Sequence, residues 1–134
     1  MKKLLLILLY FSLLQKSPSQ SLSFQYPVYT GAGLGLTYAK EGSLFRIWSP
    51  PAEEAQLLLY KEGVAGLPFQ TTNLQKGDNG TWWIRLPGDW KKTFYAFRVK
   101  INNQWSDEVT DPYAKAVGTN GKRAVVIDLQ DTNP

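Results

Sequence analysis

The sequence predicts an all-β protein: a single antiparallel β-sandwich of immunoglobulin-like type that follows a cleaved signal peptide. Three observations predict it. Beyond about residue 26 the apolar residues recur with period two, the spacing of half-buried strands. Turn signals rich in Gly, Pro and Asn separate those runs at short intervals. No run in this region carries the 3.6-residue period of an amphipathic helix, so two packed sheets are the expected layers.

The first 20 residues stand apart. Lys2 and Lys3 precede an apolar run over residues 4–14 that is broken only by Ser12. A membrane-spanning helix needs about 20 such residues, so the run is too short to span and suits a signal peptide. Ser17, Ser19 and Ser21 supply small residues where a signal peptidase cuts. Export to the periplasm or the extracellular space is therefore expected, with no membrane attachment after cleavage.

Charge changes once that leader is set aside. The 134-residue chain has a net charge of +4, but Lys2, Lys3 and Lys16 belong to the leader. The remainder holds 12 basic against 11 acidic residues, a net of +1. Its largest basic clusters are the pairs Lys91-Lys92 and Lys122-Arg123. Such pairs are too small for a phosphate footprint, which excludes nucleic acid as a partner. About 110 residues suffice for one modest core.

The strands follow in order. Residues 44–48 place Phe45 and Ile47 on one face and Leu44, Arg46 and Trp48 on the other. Residues 56–61 are nearly all apolar through Leu57, Leu58, Leu59 and Tyr60, which suits a strand covered on both sides. Residues 81–86 put Trp82, Ile84 and Leu86 on one face, Trp83 and Arg85 on the other. Residues 93–101 form the longest run, with Tyr95, Phe97, Val99 and Ile101 inward and Arg98 and Lys100 outward. The expected core is Phe45, Ile47, Leu57, Leu59, Ile84, Tyr95, Phe97 and Val99. A strand-like run ends near Glu108, and residues 124–129 are expected to form the last strand.

Residues 111–123 must cross between those last two runs. Pro112 fixes its own φ and pushes Asp111 out of the helical region, so the chain turns there. Asn120-Gly121 tolerates positive φ and marks a second turn. Tyr113 and Val117 are the residues expected to fold back onto an apolar surface. Residues 131–134 are expected to begin a connection to a further domain.

Chemistry is constrained by what is missing. The sequence has no His and no Cys, which excludes His-based triads, thiol nucleophiles, zinc sets and disulfides. Neither a metal nor a cofactor is expected. Asp107, Glu108 and Asp111 cluster, and glycoside hydrolysis needs a carboxylate pair at a defined separation. They read as solvated loop charges, with Asp111 bonding its own turn backbone, and no residue is assigned a catalytic role. Gly31-Ala32-Gly33-Leu34-Gly35 has no helix after it, so it reads as a flexible lead-in loop and not a phosphate cradle. Asn79-Gly80-Thr81 is a glycosylation sequon that has meaning only in a eukaryotic secretory pathway.

The five tryptophans carry more information. Sugar rings lay flat C–H faces on Trp or Tyr, while Asn, Gln and Lys bond the hydroxyls. Trp82 alternates with core residues, Trp83 projects from the opposite face, and Trp48 is undecided. Trp90 and Trp105 sit beside turns, where a ring is either a lid on the core or a binding platform.

Three stretches also carry a resemblance. They are Tyr29-Thr30-Gly31 with Leu34-Gly35-Leu36-Thr37-Tyr38, then Phe45-Arg46-Ile47-Trp48-Ser49-Pro50-Pro51-Ala52, then Asp111-Pro112-Tyr113-Ala114-Lys115-Ala116 with Asn120-Gly121-Lys122-Arg123. Over residues 26–130 the chain resembles the β-sandwich classed as a family-48 carbohydrate-binding module. It looks like the form that precedes the catalytic barrel in type I pullulanases of the α-amylase superfamily. The family usually carries Asp where Gly33 stands.

The resemblance implies a non-catalytic N-terminal module, here as a fragment, of a secreted α-glucan debranching enzyme. In such enzymes the nucleophile and general acid belong to the barrel, which would follow residue 134. In glycogen-binding relatives a Trp follows the long strand after a short turn, and an Asn precedes the last strand. Trp105 and Asn120 match those places and Trp90 is a further candidate, whereas Ala96 falls where that site's Lys would stand. The implied partners are the catalytic barrel and, weakly, α-glucan such as starch, glycogen or pullulan. Two alternatives stay open: a self-sufficient secreted glucan-binding module, and an exported sandwich used for protein–protein contact.

Overall fold

The computed structural model describes residues 25–133. The signal-peptide expectation falls on residues outside that range. Among the described residues nine antiparallel strands build two sheets. Strands β1 (Gly35–Thr37), β2 (Gly42–Trp48), β6 (Thr81–Pro87) and β5 (Gln75–Lys76) form the first, in the order β1-β2-β6-β5. Strands β4 (Gln70–Asn73), β3 (Glu54–Tyr60), β7 (Phe94–Ile101) and β8 (Gln104–Trp105) form the second, in the order β4-β3-β7-β8. Strand β9 (Ala124–Val125) joins the second sheet on β7. Among the described residues the helical content is confined to three short 3₁₀ turns, at Asp78–Gly80, Thr119–Gly121 and Leu129–Thr132.

Alternation decides which side chains meet. On β2 and β6 the register pairs Phe45 with Ile84 and Ile47 with Trp82 on the inner face. On β3 and β7 it pairs Leu57 with Phe97 and Leu59 with Tyr95. Phe45, Leu57, Leu59, Tyr95 and Phe97 are buried between the sheets, as expected. Ile47, Ile84 and Val99 are half-buried against that cluster. The Phe45 and Tyr95 rings meet edge to face with centroids 5.1 Å apart, and Tyr95 and Phe97 do so at 5.8 Å. The hydroxyl oxygen of Ser43, on the inner face of β2, is buried and has no hydrogen-bond partner among the described residues.

Strand β3 is covered on both faces, which explains its unbroken apolar run. Leu58, Tyr60 and Ala96 form a second buried cluster on the outside of the second sheet, joined by Phe94. The loop between β3 and β4 lies over it, with Leu67 and Pro68 lining the same hollow as Leu58 and Tyr60.

Three expectations near the C-terminus need correction. The run to Glu108 is not one strand: Asn102 and Asn103 adopt positive φ of 50° and 61°, and their tight turn folds β8 back on β7. Val109 then returns to bridge Phe97. The last strand is shorter than residues 124–129. Asp128 accepts a hydrogen bond from the Gln130 backbone N–H at 3.0 Å and caps a 3₁₀ turn, which offers the chain an alternative to the ladder. Finally, Tyr113 and Val117 stay 55% and 51% exposed, with only the Tyr113 Cβ set close against the Gly35 backbone. The crossover is anchored by Ala114, packed on the core, and by Asp111 and Arg123, which are buried.

Candidate functional site

Sheet pairing places Trp105 directly opposite Lys100, at the C-terminal end of β7. Register then fixes its neighbours on the outer face: Lys100 stands opposite Glu54, Arg98 opposite Gln56, and Gln56 opposite Asn73. These side chains bond in a row. Arg98 Nε donates to Gln56 Oε1 at 2.6 Å, and Gln56 Nε2 donates to Asn73 Oδ1 at 2.8 Å. Lys100 Nζ pairs with Glu54 at 3.1 Å. The Arg98 guanidinium lies 4.8 Å from the Trp105 ring centroid, a cation–π contact that holds the half-buried indole in place. The result is one aromatic ring at the head of a row of oriented amide and guanidinium donors.

The other two candidates lie elsewhere. Trp90 precedes β7, at the end remote from Trp105. Its ring packs on the core and its indole N–H donates to the Pro87 carbonyl at 3.0 Å. That is the arrangement of a lid. Asn120 is exposed at φ 69° in the turn before β9, a backbone region that Asn tolerates better than most residues. Thr110 ties this turn down by donating to the Gly121 or Lys122 carbonyl, at 3.2 and 2.8 Å. Among the described residues no hydrogen bond or ring contact joins Asn120 or Trp90 to Trp105.

Two of the three carboxylates, Asp111 and Glu108, are not simple solvated charges, whereas Asp107 is exposed as expected. Asp111 is 3% exposed. It accepts from the Tyr95 hydroxyl at 2.7 Å and, as expected, from its own turn, through the Tyr113 N–H at 2.9 Å. Burial, with the Asp111 charge and hydrogen bond added, pushes the Tyr95 hydroxyl far above the ordinary phenol range. Glu108 accepts from the Tyr60 hydroxyl and from Arg123. Burial, then the bond to Glu108, pushes Tyr60 up to about 12. Both carboxylates are therefore committed to holding the fold together.

Arg123 is the organiser that sequence reading missed, because in sequence it is only half of a basic pair. It is 4% exposed, and its guanidinium lies 3.4 Å from the Tyr60 ring centroid. It donates to the carbonyls of Glu62 and Ala65 at 2.8 Å and of Gly66 at 3.0 Å. One side chain thus fastens the crossover to the β3–β4 loop. A planar fork of five donors is the group suited to several carbonyls at once. Gln56, Arg98 and Asn73 were also missed as site residues; their signal was the outward half of the period-two pattern.

The geometry is that of an all-β sandwich with Asp111 and Glu108 engaged within the fold and a polar aromatic row on one outer face. The chain belongs to the carbohydrate-binding module 48 family (isoamylase N-terminal domain), whose signature matches residues 33–114. Its curated relatives include the pullulanase of Bacillus subtilis, 33% identical over 78% of this chain and 14% of the relative. The pullulanase of Klebsiella aerogenes is 30% identical over 73% of this chain and 9% of the relative. Among solved structures, a pullulanase from Paenibacillus barengoltzii complexed with maltohexaose and alpha-cyclodextrin matches with a TM-score of 0.76 and 43% identity. That match covers 80% of this chain and 16% of the pullulanase. The chain therefore spans about a tenth to a sixth of the pullulanases it matches.

Proposed function

We propose that this sandwich serves a pullulanase-type α-glucan debranching enzyme as its non-catalytic module, docked on the catalytic barrel and touching α-glucan only weakly. The observation that carries docking is the Arg123 clasp. It joins the β3–β4 loop and the crossover into one rigid surface, on which Val64, Leu67, Val109 and Val117 are exposed. Exposed apolar groups gathered on a fixed surface mark an interaction site. The part played by whole pullulanases in hydrolysing α-1,6 bonds comes to this chain only through such an association. Export by the leader, to the periplasm or beyond, belongs to the same reading, and N-terminal sequencing of secreted protein checks it.

A second reading is supported by the row that runs from Trp105 to Asn73. Trp105 would be the platform for a glucan ring, with Arg98 and Gln56 bonding hydroxyls and Asn120 a further, outlying partner. One stacked ring contributes on the order of 1–3 kcal/mol, by analogy with base stacking on aromatics. Millimolar affinity needs about 4 kcal/mol, so a single platform just reaches it.

Titration separates the two. Maltoheptaose is added to tens of millimolar while Trp fluorescence and NMR shifts are followed, and a pullulanase barrel lacking its own module is titrated in parallel. Docking predicts saturable binding of the barrel that Leu67→Asp and Val117→Asp weaken. Glucan binding predicts a saturable signal that Trp105→Ala abolishes. The pure chain should release no reducing sugar from pullulan, starch or glycogen. Sugar release lost on replacing Asp107 or Glu108 would refute the reading.

A further inference from the structure

The stretch Gly31-Ala32-Gly33-Leu34-Gly35 does more than lead into the first strand. It lies over the outer face of the first sheet, on the side of the molecule opposite Trp105. Tyr29 donates its hydroxyl to the Ala32 carbonyl at 2.8 Å, and Arg46 Nη1 donates to the same carbonyl at 3.3 Å. Arg46 is the cross-strand partner of Trp83. Together with Lys76, Asp78 and Thr81, these residues line a slot of about 270 Å³.

Glycines give the slot its shape. A Cβ on Gly31 would lie 2.6 Å from the Tyr29 ring, and one on Gly33 would lie 2.8 Å from Arg46 Nη1. A Cβ on Gly77 would lie 3.0 Å from Cδ1 of Trp83. Each of the three large side chains therefore rests against bare backbone that a side chain would displace. Among the described residues Arg46 forms no ion pair, so most of its five N–H donors are available.

We propose that this slot is a second sugar subsite, taking one pyranose ring of a neutral α-glucan; the inference rests on the module's reading as a glucan-handling one. Trp83 and Tyr29 offer flat apolar faces for the C–H side of the ring. Arg46 and Lys76 donate to its hydroxyls, and Asp78 accepts from them. Asp78 in the same wall works against a phosphate or carboxylate ligand. The volume lies just below the roughly 300–1,000 Å³ of drug-sized sites, which suits one ring and not a long chain.

The test is maltoheptaose titrated to tens of millimolar into the ¹⁵N-labelled chain, with the indole N–H resonances read individually. The Trp83 resonance should shift and saturate. Arg46→Met should weaken that site about tenfold while leaving shifts at Trp105 in place. Gly77→Ala removes no ligand group, yet should weaken the site, because its Cβ would press on Thr81 Oγ1 at 2.5 Å and on Trp83 Cδ1 at 3.0 Å. This variant keeps the test valid if Trp83→Ala fails to fold. Saturable shifts at Trp105 with Trp83 silent overturn the second subsite while leaving the module's glucan reading intact. Silence at every indole overturns both.

Discussion

The outer faces of the two sheets use the same residue types to opposite ends. Each presents an indole beside an arginine, Trp83 with Arg46 on the first sheet and Trp105 with Arg98 on the second. On the second sheet nearly every polar group is already engaged. Arg98 bonds Gln56, Lys100 pairs with Glu54, and further along the sheet Arg123 closes the β3–β4 loop over Tyr60. On the first sheet Arg46 reaches only the Ala32 carbonyl. The comparison teaches that a Trp–Arg pair is not by itself a site. What matters is whether the neighbouring strand supplies the arginine with an acceptor. Gln56 on β3 does this for Arg98 on the second sheet, whereas β6 offers Trp83 and Arg85.

The shared core sets the largest expected effect, because both faces depend on it. Phe97→Ala removes a buried ring between the sheets and should cost about 3–5 kcal/mol, measured by urea unfolding. A cost below about 1 kcal/mol would mean that the sheets are held together elsewhere. Next comes the asymmetry itself. Arg123→Met leaves three backbone carbonyls without their donor and Glu108 with only the Tyr60 hydroxyl, and should cost about 3 kcal/mol. Amide exchange should then rise in the β3–β4 loop and the crossover but not around Trp83. Uniform loosening would contradict the division between the two faces.

A pH scan sharpens the contrast further. Tyr60 titrates at about 12 in the folded chain, above the ordinary value of 10.0. Its contribution to stability is therefore fully present below pH 10 and is lost as the pH rises through 12. Tyr95 is shifted in the same direction. The melting temperature followed by circular dichroism should fall across that window, and Tyr60→Phe should flatten the fall. A drop that begins well below pH 10 would point to a different group. The smallest effect is expected inside the first sheet. Ser43→Ala removes a buried hydroxyl that lacks a partner, so it should be neutral or stabilising by up to about 1 kcal/mol. Destabilisation would reveal a bond that Ser43 makes.

The sequence by itself determined the class of fold, which residues of a strand share a face, and most of the core. Period-two alternation is a local property, and every residue from Phe45 to Phe97 that it sent inward is buried or half-buried there. The turn at Asn120-Gly121 was legible for the same reason, since positive φ is tolerated residue by residue. Only the tertiary structure decided what the polar residues do. Asp111 and Glu108 look like loop charges until Tyr95, Tyr60 and Arg123 arrive from 15 or more positions away. The same holds for Arg46 and Trp83, whose slot exists because residues 29–33 fold across it. A hydrogen bond or an ion pair requires a partner at about 3 Å, and no spacing within a strand says which distant strand will supply it.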